Sequence, residues 1–339
     1  MTGANSWDDA ADLARLLDGA GFNGMLLTET TQVPWMQIAA ASTAAPELFF
    51  TTGIAVAFPR SPMISAAMAY EIAANTGGRF RLGLGSQVKA HVERRYSAEF
   101  DQPAARLRDY VEAVKACWRA FNREERLAHD GAFYSLSLLP RDWAPQPHEH
   151  EMFVDISAVG PVMTKVAAQV ADGVHVHPLH SMAYLENRLL PGLAEGAAEV
   201  GRDPSEIDLI VPVFACPGDT PEDRDPYVSV ARRQIAFYGS TPNYAFQFDD
   251  LGFADTTSRI RAKFKAGELD TIGDVITDEM LDHYALVASW DDMADRLVER
   301  YGETASRVVL YLGEHQMRTD PHHLAKWSEV ARAVTEARP

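Results

Sequence analysis

Two kinds of hydrophobic pattern alternate along the chain. Apolar positions that recur every three or four residues, as in segments 61–75 and 103–121, predict amphipathic helices. Short apolar runs without polar alternation predict strands that are buried on both faces, which is typical of a parallel sheet covered by helices. The predicted strands are residues 24–28, 49–58, 79–84, 152–157, 173–177, 208–215 and 308–312.

The number of predicted strands favours a (β/α)8 TIM barrel in the α/β class. Seven strands follow a leading helix, whereas a doubly wound sheet usually has five or six and a barrel has eight. We expect the first strand to be poorly filled or missing, because residues 1–6 are poor strand formers. Either the true start lies upstream or the barrel closes imperfectly. The segment 216–307 is too long for one loop and helix, which predicts an insertion over about 216–290, between strands 7 and 8, in a single domain spanning 1–339.

Composition narrows the function classes. Asp and Glu number 48 against 31 Lys and Arg, and the formal net charge of −17 disfavours binding to nucleic acid phosphates. Cys117 and Cys216 form no closely spaced pair, which fits a reducing cytoplasm. No apolar run reaches the roughly 18 residues that a bilayer-spanning helix needs. We therefore expect a cytoplasmic protein with a small-molecule substrate and no nucleic acid or membrane partner.

Candidate chemistry lies at the carboxyl ends of the predicted strands, where barrel active sites are built. The turn 157–161 closes a strand and places Pro161 at a helix start, where backbone N–H groups favour a phosphate. An ordinary tight turn explains the same residues. His175 and His177 are two residues apart in a strand, and two imidazoles can begin a zinc site. A third ligand and an activating carboxylate are not evident, and one packed histidine with one at the strand end is the simpler interpretation.

The predicted insertion is rich in aromatic residues. Tyr238 and Tyr244 flank a Gly-Ser-Thr-Pro turn, where a phenol could face a ligand. Packing within the insertion's own small core accounts for most of these aromatic residues. The sequence contains no GxSxG elbow, Walker loop or GxGxxG motif, which disfavours serine hydrolases, P-loop proteins and Rossmann folds.

Several segments together resemble the luciferase-like monooxygenase superfamily, in its branch of oxidoreductases that use the deazaflavin coenzyme F420. The most specific is Gly-Gly-Arg-Phe-Arg-Leu-Gly-Leu-Gly-Ser at 77–86, which follows an Ala-rich helix. Further matching segments are 53–62, 106–111, 158–161, 171–174, 234–242 and 276–280. The resemblance extends over about residues 7–313 and implies a (β/α)8 barrel whose ligand is an isoalloxazine-like ring.

The resemblance also implies roles for individual residues. The implied cofactor contacts are Thr28, Thr30, Gly53, Ile54, Ser86, Ser157, Val159, Gly160 and His177. A cis peptide bond between Gly53 and Ile54 is expected to support the back of the ring. Many members carry a histidine after the second strand, where this chain has Thr30, so His91 or Glu29 must serve as the catalytic residue if the reaction needs a proton. We expect His91 to lie near the cofactor and outside the core.

Alternatives remain at this point. An FMN-dependent monooxygenase shares the fold, and a metal-dependent barrel hydrolase or a non-catalytic flavin-binding protein are alternatives of other classes. The expected substrate contacts are Trp35, Tyr238 and Tyr244, and the aromatic insertion suggests a hydrophobic or flat substrate. The family resemblance suggests a homodimer.

Overall fold

A computed structural model of the protein describes residues 5–311 and 313–337. The strands are β1 (Gly24–Leu27), β2 (Phe49–Thr52), β3 (Ala55–Val56), β4 (Phe80–Gly85), β5 (His129–Asp130), β6 (Ser135–Leu136), β7 (Phe153–Ala158), β8 (Gly173–Val176), β9 (Asp208–Pro217), β10 (Ala285–Ala288) and β11 (Arg307–Leu310). The α-helices are α1 (Trp7–Gly19), α2 (Pro34–Ala44), α3 (Pro62–Thr76), α4 (Lys89–Arg94), α5 (Pro103–Phe121), α6 (Pro161–Val170), α7 (Met182–Tyr184), α8 (Leu190–Ala198), α9 (Pro221–Gly239), α10 (Phe246–Asp249), α11 (Thr256–Ala266), α12 (Asp278–Tyr284), α13 (Met293–Tyr301), α14 (Glu314–Thr319) and α15 (Pro321–Glu336).

The chain divides into two compact units. The first comprises the residues up to His175 together with Gly192–Asp208, and the second comprises Val176–Pro191 and the residues from Leu209 onwards. The prediction of one domain over 1–339 stays a prediction.

The first unit contains a parallel sheet covered by helices. Its strands lie in the order β1, β2, β4, β7, and β3 pairs with β4. The helices follow from local sequence: the Ser61 hydroxyl caps the start of α3, and Gly77 ends it with a left-handed backbone at φ 62°. The strands β5 and β6 form an antiparallel hairpin with a turn of four residues.

The second unit is built around β9, the longest strand. Both β10 and β11 pair with it in parallel, β11 against its first half and β10 against its last residues. The helices α9 to α12 lie between β9 and β10 in sequence, where the insertion was predicted. The last helix of this unit is α15, whose start is capped by the Asp320 side chain.

The core of the first unit contains a buried ion-pair cluster. Arg81 on β4 donates two hydrogen bonds to Asp155 on β7, from Nε at 2.9 Å and from Nη2 at 2.6 Å. Its Nη1 donates a third to Asp208, at 2.7 Å. Asp155 is fully buried, and a charge in that position is tolerated only because it is paired.

Sequence reasoning missed two elements, and two of the predicted strands need correction. The strand β10 was missed because its four residues follow α12 directly, without a glycine or proline between them. The helix α2 was missed because its apolar residues surround the helix and leave no clear stripe. The run 49–58 is two strands, interrupted at Gly53–Ile54. The predicted strand to Leu312 ends at Leu310, and Leu312 lies outside the described residues.

The prediction of a poorly filled or missing first strand concerns residues 1–6. Residues 1–4 lie outside the described residues, and Asn5 and Ser6 form no strand. The Ser6 hydroxyl accepts a hydrogen bond from the Asp9 N–H and caps α1. Among the described helices, none combines the length and the apolar character needed to cross a membrane.

Candidate active site

At the carboxyl ends of β2, β4 and β7, three of the predicted site residues lie close together. The peptide bond between Gly53 and Ile54 is cis, as the family resemblance implied. Gly85 ends β4, and a Cβ at this position would lie 2.7 Å from Ser157 Oγ and 2.8 Å from Ile54 Cδ1. Only a glycine therefore leaves room for the Ile54 and Ser157 side chains beside this backbone.

The start of α6 is suited to an anion. Among the residues that the structure describes, no side chain caps this helix; Gly160 is its N-cap residue, and Pro161 occupies its first turn. A Cβ at Gly160 would meet no atom within 4 Å, so the space beside the helix start is open. The backbone N–H groups and the helix dipole make such a position favourable for a phosphate. The predicted phosphate contacts Ser157, Val159 and Gly160 thus lie in suitable surroundings.

Glu29 lies in a buried ion pair. Its Oε2 accepts hydrogen bonds from the Val56 N–H and from Arg60 Nη1, both at 2.8 Å, and its Oε1 accepts from Arg60 Nη2. Arg60 Nη1 also donates to the Val56 carbonyl. Both carboxylate oxygens are therefore occupied, and this arrangement fixes the segment after β1 against the segment after β3.

The remaining predicted contacts of the first unit lie in segments that follow strands. Thr28 follows β1 and Ser86 follows β4, and both are half-buried, whereas Thr30 is exposed. His91 is exposed on α4, which confirms that it is not a core histidine.

Trp35, a predicted substrate contact, is the second residue of α2. Its side chain is buried, and its indole Nε1 has no hydrogen-bond partner within the described part of the chain. Because a buried N–H without a partner costs free energy, this donor is a candidate contact for a polar ligand atom.

In the second unit, the ring of His177 contacts two tyrosines. Its ring follows β8, with its centroid 4.7 Å from that of Tyr238 and 4.6 Å from that of Tyr244. Three of the predicted site residues therefore form one aromatic cluster. The edge-to-face and tilted contacts within it are those that aromatic rings prefer.

Hydrogen bonds determine which nitrogen of His177 bears the proton. The Leu179 N–H donates to His177 Nδ1 at 3.1 Å, so the neutral ring carries its hydrogen on Nε2. His180 Nδ1 donates to the His177 carbonyl at 2.9 Å and holds the same turn. Burial lowers the pKa of His177 to about 3 and that of His180 to about 4, so both rings are uncharged near neutral pH.

Tyr311 extends this cluster and was missed by sequence reasoning. It directly follows β11, and its hydroxyl forms a hydrogen bond with the Tyr238 hydroxyl. Its ring also packs against Phe214, at a centroid distance of 5.0 Å. Its only signal in the sequence is an aromatic residue at the carboxyl end of a predicted strand.

His175 lies in the ion-pair cluster of the first unit. Its Nε2 is 3.7 Å from Asp155 Oδ2, and a Cβ on Gly83 would lie 2.5 Å from that nitrogen. Burial lowers the pKa of His175 to about 4, with Asp155 raising it and Arg81 lowering it. Across residues 5–311 and 313–337, no three His, Cys, Asp or Glu side chains form a group that could hold a metal ion.

Comparison with known proteins gives this geometry a context. The profile of the luciferase-like monooxygenase family matches residues 1–307. An uncharacterized protein of Mycobacterium tuberculosis is 35% identical over 301 residues, which is 88% of each chain. The coenzyme F420-dependent tetrahydromethanopterin reductase from Methanopyrus kandleri superposes with a TM-score of 0.76, covering 99% of this chain and 97% of that one at 16% identity. The oxygenating component of 3,6-diketocamphane monooxygenase from Pseudomonas putida, in complex with FMN, gives a TM-score of 0.65, covering 99% and 93% at 16% identity.

These likenesses define an α/β fold of the TIM-barrel type, which confirms the predicted fold class. The chain belongs to the luciferase-like monooxygenase family.

Proposed function

We propose that the chain is an oxidoreductase that transfers a hydride between the deazaflavin coenzyme F420 and a flat, mostly apolar small molecule. The observation that carries the proposal is the uncapped start of α6, with open space at Gly160, near the cofactor residues that the family resemblance implies. The likeness to the F420-dependent reductase, with its higher TM-score, favours the deazaflavin over FMN.

The residues of the first unit fit such a coenzyme. In this proposal Gly53 and Ile54 support the back of the ring, and Ser157, Val159 and Gly160 bind its phosphate. Thr28, Thr30 and Ser86 contact the ring or its side chain, and the family resemblance implies His177 as a further cofactor contact. When bound, a deazaflavin supplies or accepts a hydride at C5.

In this proposal the protein's own residues position the coenzyme and the substrate, exclude water from them and move a proton. Glu29 was predicted as a catalytic residue, but its two occupied oxygens favour a positioning role through Arg60. His91 remains the proposed acid, because its exposed imidazole has no competing ion pair within the described residues.

An FMN-dependent monooxygenase is the second candidate. The FMN-bound structural neighbour favours it, and the phosphate-binding geometry proposed above would serve either coenzyme. A homodimer, which the family resemblance implies, is a further proposal that light scattering of the purified protein tests.

The test of the proposal titrates the purified chain with F420 and with FMN in parallel. We expect the dissociation constant for F420 to be at least tenfold lower. Copurification with FMN, together with no binding of F420, would overturn the proposal. A chain that binds F420 but transfers no hydride to any acceptor would be a binding protein.

A matched pair of variants tests the phosphate site. In Gly160→Asp, the new carboxylate can cap α6 without steric conflict, and it repels a phosphate at the same place. Gly19→Asp makes the same change at another open position, at the end of α1. We expect the first variant to bind F420 at least tenfold more weakly and the second to bind it normally. Equal affinity in both would remove the start of α6 from the site.

A further inference from the structure

The hydrogen bond between the hydroxyls of Tyr238 and Tyr311 leaves one of the two phenol protons without an acceptor. Each phenol carries one proton, and their mutual hydrogen bond employs only one of the two. Neither hydroxyl has another hydrogen-bond partner in the part of the chain that the structure describes. The second proton is therefore available to an acceptor outside the protein.

Two further donors adjoin this pair. The Leu179 N–H donates a hydrogen bond to Nδ1 of His177, so the hydrogen on Nε2 remains to be donated to a ligand. The Tyr244 ring contacts His177, and its hydroxyl has no hydrogen-bond partner among the described residues. The cluster thus has more hydrogen-bond donors than acceptors, and these donors belong to aromatic rings or adjoin them. A ligand complementary to it is flat and presents an acceptor oxygen.

The charged groups near the cluster indicate whether the acceptor oxygen of the ligand belongs to a neutral carbonyl or to a carboxylate. None of the described contacts of His177, Tyr238, Tyr244 and Tyr311 is to a lysine or an arginine. The carboxylate of Glu314 acts on Tyr311 and raises its pKa, and this negative charge would also repel an anion. Burying a carboxylate without a cation is costly, whereas a neutral carbonyl oxygen needs only the hydrogen bonds.

We propose that the Tyr238–Tyr311 hydroxyl pair binds the carbonyl oxygen of a flat, uncharged substrate, with the rings of His177 and Tyr244 against its face. This inference rests on the proposed function and names its substrate class. Burial raises the pKa of both phenols, so the pair stays protonated and remains a donor near neutral pH.

The test compares two probes with the same flat skeleton. Menadione carries two carbonyl groups, and 2-methylnaphthalene carries none. We expect the wild-type chain to bind menadione at least tenfold more tightly, which corresponds to about 1.4 kcal/mol. In the double variant Y238F/Y311F the preference should fall below threefold, and each single variant should lose at least threefold.

The control variant is Tyr134→Phe. Tyr134 lies in the first unit, packs against Tyr110, and its hydroxyl forms no hydrogen bond among the described residues. It should keep the wild-type preference. A second measurement is the carbonyl stretching frequency of bound menadione in difference infrared spectra, which should be lower in the wild type than in Tyr311→Phe. This comparison remains informative if the double variant fails to fold.

The outcomes are separable from those of the coenzyme titration. Equal preference in Y238F/Y311F and Y134F, no preference in the wild type, or no binding of either probe would overturn the inference. F420 binding with no carbonyl preference would overturn this inference and leave the proposed function standing. Carbonyl preference without F420 binding would support this inference and contradict the proposed coenzyme.

Discussion

The two buried polar clusters of this molecule differ in how fully their hydrogen bonds are used. Arg81 in the first unit makes three hydrogen bonds to two carboxylates, and fully buried Asp155 is paired on both oxygens. Tyr238 and Tyr311 in the second unit bind each other and keep one proton without a partner in the described chain. The first arrangement stabilises a fold, and the second is complementary to a ligand. Counting spare donors therefore separates structural polar groups from candidate binding groups.

The largest effect should follow from breaking the ion-pair cluster of Arg81, in which both carboxylate oxygens of Asp155 accept hydrogen bonds. Arg81→Met leaves Asp155 as a buried, unpaired charge, so we expect a loss of about 3–5 kcal/mol in the free energy of unfolding. Urea unfolding measures it. The control is Arg15→Met, which breaks an exposed ion pair with Asp12 and should cost less than about 1 kcal/mol. Equal losses in the two variants would contradict the structural role of the cluster.

The next effect concerns pH and His175, which faces Asp155 and Arg81. Folding lowers its pKa to about 4 from an unfolded value of about 6.5, so the unfolded chain takes up the proton first as the pH falls. The stability is complete above pH 6.5 and is lost as the pH approaches 4, by about 3 kcal/mol. Unfolding at several pH values should show this loss in the wild type and a smaller one in His175→Gln. Parallel pH profiles would refute it.

A smaller effect is expected outside both clusters, at the exposed His91. Replacing it with alanine should weaken F420 binding or turnover at least tenfold, which is about 1.4 kcal/mol. The melting temperature should not change, because the side chain is exposed. Titration and steady-state rates measure the first effect, and calorimetry measures the second. Wild-type affinity and rate in this variant would remove His91 from the site.

The smallest effect should be on the free energy of unfolding when the hydroxyl pair of Tyr238 and Tyr311 is removed. Y238F/Y311F removes both partners of a hydrogen bond and keeps the rings, so we expect a change below about 1 kcal/mol. Urea unfolding of this variant beside Arg81→Met sharpens the contrast between the clusters. A loss as large as that of Arg81→Met would mean that the phenol pair is structural.

Local signals predicted much of the fold. The helix α5 has the predicted bounds of 103–121, and α3 begins after the capping Ser61 and ends at Gly77, where the sequence has its stop signal. Such features depend on neighbours within one turn of helix. Where those signals are weak, as at the uniformly apolar α2 and the four-residue β10, the sequence did not suffice.

The site was predicted in part. The family resemblance supplied Gly53, Ile54, Ser157 and Gly160, and the structure places the Ile54 and Ser157 side chains against Gly85. The partners that define the chemistry are remote in sequence: Glu29 pairs with a residue 31 positions away, and Tyr238 with one 73 positions away. No periodicity or spacing encodes such pairs, because the folded backbone alone brings them together.

The most direct test of the proposed function follows the chain with reduced F420 under nitrogen. Flat acceptors, including a quinone, an enone and an imine, are added in turn, and the return of the oxidised coenzyme's absorbance is recorded against a protein-free mixture. We predict that at least one acceptor restores the absorbance at least tenfold faster than in that mixture, with one acceptor molecule reduced per coenzyme. Return of the absorbance only when oxygen is admitted, or no return with any acceptor, would contradict the proposed hydride transfer.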